Sequence, residues 1–128
     1  MTPVDELRAA ATRLRETAAK ATPGPWKTKG FGEFGWLVVD ANPAGRFSVE
    51  TEDNEHGRAD AVWIALASPV LAEPLADWLE QCANDLAGAE RTAAKWPGDF
   101  SDPLDICDEP DSVRRALTLA RAVNRGAK

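Results

Sequence analysis

Thr22-Pro23-Gly24-Pro25-Trp26 divides the chain into two stretches of different character. Two prolines within three residues cannot continue a helix, because each lacks an N–H and clashes with the preceding turn. Before the break, the spacing predicts a helix over residues 3–21. Thr2 is its expected N-cap, Pro3 occupies a first-turn position that needs no N–H, and Asp5 and Glu6 complement the positive helix end. Val4, Leu7, Ala11, Leu14, Ala18 and Ala21 recur at alternating three- and four-residue spacing and so share one stripe. That stripe packs either on the rest of the same chain or, as a coiled-coil seam, on a second copy; the small alanines weaken the second option. In the break itself Pro23 ends the helix, Gly24 permits a positive φ, Pro25 stiffens the exit, and Trp26 is free to pack back onto the first or second helix.

After the break, aromatic and β-branched residues replace Ala and Leu, and residues 26–51 read as a small antiparallel sheet. Trp26 to Lys29, Phe34 to Asp40 and Arg46 to Thr51 are the expected strands, with Gly30 and Gly32 in the first turn and Asn42-Pro43-Ala44-Gly45 in the second. Trp36 and Val38 would share one face, Leu37 and Val39 the other. Residues 50–57 read as a mobile surface connection. Three helices follow, over 59–67, 69–95 and 112–125. Asp60 is the expected cap of the first, whose Val62, Trp63, Ile64 and Leu66 imply deep burial; Ser68 and Pro69 open the second. Pro74 inside the second should kink it or set its first turn apart, and Gly88 weakens its far end. Between the last two helices, Asp102-Pro103 has the pattern of a single helical turn. The expected architecture is a single α+β domain of a three-stranded antiparallel sheet packed with about four helices.

Composition bounds the function. At 128 residues the chain suits one domain. Leu, Ile, Val and Phe make up only about a fifth of it, a deficit that the five tryptophans offset, with Trp26, Trp36, Trp63 and Trp78 able to anchor a core made mainly of Ala and Leu. A net charge of −6 makes nucleic acid an improbable partner, because that affinity comes mainly from Lys and Arg on phosphates. No apolar run is long enough for a membrane span and the start of the chain lacks a signal-peptide pattern, which leads to an expectation of a cytoplasmic protein with no membrane partner. Cys82 and Cys107 are then expected as buried thiols, with one disulfide as the alternative.

No residue constellation points to catalysis or a cofactor. Asp99, Asp102, Asp105, Asp108, Glu109 and Asp111 form a dense acidic segment. Their spacing, with Pro103, Leu104 and Ile106 interleaved, is not that of a calcium loop, and solvated helix starts explain them better than a metal. His56 is the only histidine, which removes His-pair zinc sites and leaves a hydrolytic triad dependent on a loop residue. The serines lack a nucleophile-elbow context, and Gly30-Phe31-Gly32 leads into strand residues instead of a phosphate-binding helix. Trp63 and Trp78 read as core, and Trp96 as folding back over a helix end. The best candidate binding surface is Lys27, Lys29, Phe34, Trp36 and Arg46, an aromatic and cationic strand surface.

Ala21-Thr22-Pro23-Gly24-Pro25-Trp26, followed by Asp60-Ala61-x-Trp63-Ile64-Ala65 and Ser68-Pro69, resembles a pattern in small accessory proteins of phages and prophages, Ea22-like proteins and uncharacterised actinobacteriophage products among them. The resemblance covers about the first 80 residues, and Trp63 stands where Phe or Tyr is more usual. It implies an accessory phage gene product acting in the host cytoplasm, with no catalytic residues to carry over. Thr22, Pro23, Gly24, Pro25, Trp26, Asp60, Ser68 and Pro69 are then structural positions. The leading expectation is a non-enzymatic protein that binds a host or phage protein through the sheet face or the acidic segment, or a second copy of itself as a homodimer. The alternatives are a nucleotide-binding or sequestering protein and an acidic DNA mimic.

Overall fold

The computed structural model describes residues 1–30, 32, 35–40, 48–98 and 102–126. The fold is α+β. Helix α1 (Pro3–Lys20) is followed by strands β1 (Trp26–Gly30), β2 (Trp36–Asp40) and β3 (Ser48–Thr51), then by helices α2 (Glu55–Leu66), α3 (Ala72–Lys95) and α4 (Pro110–Gly126). Short 3-10 turns stand at Pro69–Leu71 and Pro103–Ile106. Contacts gather into two compact units, a helical one (Met1–Glu16 with Glu73–Lys128) and a sheet unit (Thr17–Ala72).

In the helical unit, α1 begins with a reciprocal cap. The Asp5 N–H donates to Thr2 Oγ1 at 3.1 Å and the Thr2 N–H donates to Asp5 Oδ2 at 3.3 Å, so two orphan donors of the first turn are satisfied at once. Val4, Leu7 and Ala11 then point into one core with Leu79, Cys82 and Leu86 of α3 and Val113, Leu117 and Ala120 of α4. Val4, Leu7, Ala11 and Leu14 of the α1 stripe are therefore used within the chain, the first of the two options expected for it. Alanines at Ala10, Ala76, Ala83 and Ala116, all 0% exposed, let the three helices approach closely despite the shortage of large side chains. Trp78 packs against this core, and its Nε1 donates to Ser112 Oγ at 3.1 Å, tying α3 to α4. Arg15 pairs with Glu73, Asp77 and Glu80 along one row of α3. Its guanidinium, hydrogen-bonded to Glu80 and Glu73, is held protonated more firmly than usual.

Pro74 lies in the first turn of α3, where its missing N–H is harmless, and the chain before it forms the separate Pro69–Leu71 turn. Of the two outcomes expected for Pro74, the structure takes the second. Asp102 caps the Pro103–Ile106 turn through its side chain, as the sequence pattern suggested. The last helix begins at Pro110, two residues before the expected Ser112. Trp96 is 59% exposed and does not fold over the helix end.

In the sheet unit the strand order is β1-β2-β3, antiparallel throughout. β2 starts at Trp36 because Gly35 has a φ of +95°, a conformation that leaves the strand region and favours glycine. Phe34, Arg46 and the expected turn over residues 42–45 lie outside the described residues. Trp36 pairs with Gly30 and Thr51, and Val38, fully buried, pairs with Thr28 and Val49. α2 covers this face: Arg58 lies over the Trp36 ring at 5.4 Å, and Thr51 Oγ1 donates to the Gly57 carbonyl at 2.6 Å.

α2 starts four residues earlier than the sequence suggests, and residues 50–57 are the end of β3, a tight turn and a helix start instead of a mobile connection. Asn54 is the cap, its Oδ1 accepting the Gly57 N–H at 2.7 Å, so Asp60 sits inside the helix and caps nothing. Gly57 is required by contact. A β-carbon there would run into the backbone of Glu52, its carbonyl oxygen first.

Two glycines give opposite expectations. Gly57→Ala should destabilise the sheet unit by roughly 2–4 kcal/mol, because backbone must move to admit the methyl. Gly88→Ala, on α3 with only the tip of Arg91 within 4 Å of the added carbon, should stabilise by up to about 1 kcal/mol. Denaturant melts followed by tryptophan fluorescence and circular dichroism check both. A second expectation concerns acid. Hydrogen bonds from the Thr2 side chain and backbone hold the Asp5 carboxyl below its ordinary value. The stabilisation is complete above that ordinary value, about 3.9, and is lost as pH falls through the lower folded one. In melts from about pH 5 down to about pH 2, Asp5→Asn should show a shallower loss of Tm than the parent chain.

Candidate protein-interaction surface

The motif at residues 22–26 and the Ser68-Pro69 pair meet in the sheet unit. A β-carbon on Gly24 would lie 2.8 Å from Val70 Cγ1 and 3.1 Å from Ser68 Oγ. Gly24 makes no use of the positive φ open to it; it is small because residues 68–70 pass directly over it. The Gly24–Pro25 peptide is cis, and Trp26 Nε1 donates to the Thr22 carbonyl at 3.0 Å, closing the corner. Ser68 is 2% exposed and its side chain makes no capping bond to the Pro69–Leu71 turn. Its expected capping role is replaced by a packing role beside Gly24.

Of the surface expected from sequence, the described residues Lys27, Lys29 and Trp36 do not come together. Strand register puts Lys27 opposite Val39 and Lys29 opposite Leu37, on the face away from α2, whereas Trp36 and its partner Gly30 lie on the covered face. Lys27 and Lys29 are exposed, Trp36 is half-buried under Arg58, and Phe34 and Arg46 lie outside the described residues. The lysines and the tryptophan that were to grip a nucleotide together are separated by the thickness of the sheet.

A different surface appears on α2. Its buried positions are Gly57 and Ala61, with Ile64 and Ala65 half-buried, so the side towards the sheet is built mostly from small residues. The large ones point out. Trp63 is 71% exposed, Leu66 63% and Val62 40%; beyond the helix end, Val70 and Leu71 of the 3-10 turn are exposed as well. Deep burial of this helix and a core role for Trp63 were the expectations, and both are overturned. The cause is spacing: with Gly57 against the Glu52 backbone and Ala61 fully buried, no room is left beneath α2 for an indole. Sequence reasoning missed this surface because apolar residues surround the helix. The signal that marks it is the pairing of small residues Gly57 and Ala61 at four-residue spacing, which identifies the packed side.

Around the apolar surface the charges are mostly negative. Glu52, Asp53, Glu55 and Asp60 are all exposed. Glu52 accepts a hydrogen bond from Asn54 at 3.0 Å, and Arg58 is engaged on the Trp36 ring. His56 is exposed in the first turn of α2.

Elsewhere, an open groove of about 450 Å³ in the helical unit is lined by both signs of charge, Arg91 and Lys95 with Asp85 and Asp108. Among the described residues, no three acidic, cysteine or histidine side chains gather into a metal-sized group. Cys82 and Cys107 are free and buried; no disulfide joins them. Among the described residues, no single helix is long and apolar enough to cross a membrane. No protein-family model, curated protein or solved structure matches the chain.

Burial pushes both thiols above the ordinary cysteine range, with the Ser112 hydroxyl partly offsetting this at Cys82. Both should therefore react slowly with a thiol reagent at about pH 8 in the native chain and at the ordinary rate once denatured. Rapid labelling of either under native conditions would contradict this burial.

Proposed function

We propose that this chain is a non-enzymatic accessory protein of a phage or prophage that binds a partner protein in the host cytoplasm through the outer face of α2. One observation carries the reading: Trp63 is 71% exposed on a helix that also exposes Leu66 and Val62. A large aromatic side chain left in water forgoes on the order of several kcal/mol of burial. Clustered apolar exposure of this kind marks an interaction site more often than a bare surface, and Trp leads the residues that dominate binding energy. The resemblance of Thr22-Pro23-Gly24-Pro25-Trp26 and Ser68-Pro69 to phage proteins supports the accessory role, with those residues building the corner that holds α2 in place.

The test is a Trp63→Ala/Leu66→Ala double variant. Because neither side chain is buried, stability should change by no more than about 0.5 kcal/mol. Affinity capture from host or phage-infected lysate should recover a specific protein with the parent chain and lose it with the variant. If the parent recovers nothing specific, or both recover the same set, the proposal fails.

A further inference from the structure

We propose that the partner presents a basic amphipathic helix to α2, an inference that rests on the outer face of α2 being the binding surface. The positions define a stripe. Ala59, Trp63 and Leu66 follow one another at four- and three-residue spacing, so they form a continuous apolar row of the kind that accepts another helix. Asp60, one turn before Trp63, lies along one edge of that row, and Glu55, one turn before Ala59, stands at the other. Glu52 and Asp53 precede the helix at the same end, and all four acids are exposed. The single cation of α2, Arg58, is turned to the sheet side and lies over Trp36. Nothing else in this helix neutralises the acids, since the helix end itself contributes only about half a positive charge.

The same acids discriminate among occupants. A second copy docking α2 on α2 offers no cation to Glu55 and Asp60, because the same row has only acids at its edges. An anionic lipid surface is repelled by the same acids. A helix with apolar residues at three- and four-residue spacing, flanked by Lys or Arg, covers Trp63 and Leu66 and meets the acids on both edges. Burial supplies the affinity and the edge charges supply the choice of partner.

Two designed peptides with one Leu pattern test this, one with Lys and the other with Glu at every flanking position, titrated into the full chain and followed by isothermal titration calorimetry. The Lys peptide should bind, Trp63→Ala should abolish its binding, and a Glu55→Gln/Asp60→Asn variant with unchanged melting should bind it roughly five- to ten-fold more weakly, the scale of two exposed ion pairs. Its advantage over the Glu peptide should shrink as salt rises from about 20 mM to about 300 mM, where the screening length falls below the reach of the edge charges. Equal, Trp63-dependent binding of both peptides would overturn the basic partner while leaving α2 as the binding surface. Lys-peptide binding indifferent to Trp63→Ala would reduce the effect to bulk charge and overturn the inference. So would failure of both peptides to bind, with the α2 surface then judged by the capture experiment alone. Dimerisation, or binding to anionic vesicles, that disappears with Trp63→Ala would assign the face to another occupant and equally overturn it.

Discussion

The contact of Gly57 with the Glu52 backbone is the constraint on which the sheet unit depends. It brings α2 down onto the strands at a spacing that only hydrogen and methyl side chains tolerate. Asn54 fixes where the helix begins, and Thr51 ties the Gly57 carbonyl back to β3. Once the helix lies that close, the direction of every other side chain on it follows from the helical repeat. Ala61 goes under, Ile64 and Ala65 go to the flanks, and Val62, Trp63 and Leu66 face outward. The exposed apolar surface is thus a consequence of close packing on the opposite side, not of a loose helix.

The corner made by Gly24 and residues 68–70 works on the same principle. A missing side chain lets one segment cross another at contact distance, and the two halves of the motif, far apart in sequence, are one structural feature in space. This gives Thr22-Pro23-Gly24-Pro25-Trp26 and Ser68-Pro69 a shared structural role.

The helical unit solves its shortage of large side chains differently. Alanines at the helix contacts reduce the volume that must be filled, and Leu7, Leu79, Val113 and Trp78 fill what remains. Surface carboxylates are organised by pairing where a cation faces them, as Arg15 does for three acids of α3 and Arg121 for Glu6. Around the outer face of α2 no such organisation is present among the described residues, so its acids differ from the paired ones of the helical unit.

Much of the fold was legible in local chemistry. The Thr2 cap, the proline break after α1 and the alternation of β2 are decided by neighbours within a few residues, so sequence alone determined the α+β class and the order of elements. The start of α2 was misread because the polar residues 50–57 read as a connection and Asp60 has the chemistry of a cap, whereas the Gly57 N–H bond to Asn54 shows that the helix begins earlier. Lys27, Lys29 and Trp36 were grouped because they are close in sequence, yet strand register puts them on opposite faces. Trp63 was assigned to the core because hydrophobicity says that a tryptophan prefers burial without saying which side of an all-apolar helix is buried. That choice belongs to tertiary structure: the side with the smallest residues can approach the sheet most closely, and the largest residue is the one left facing solvent.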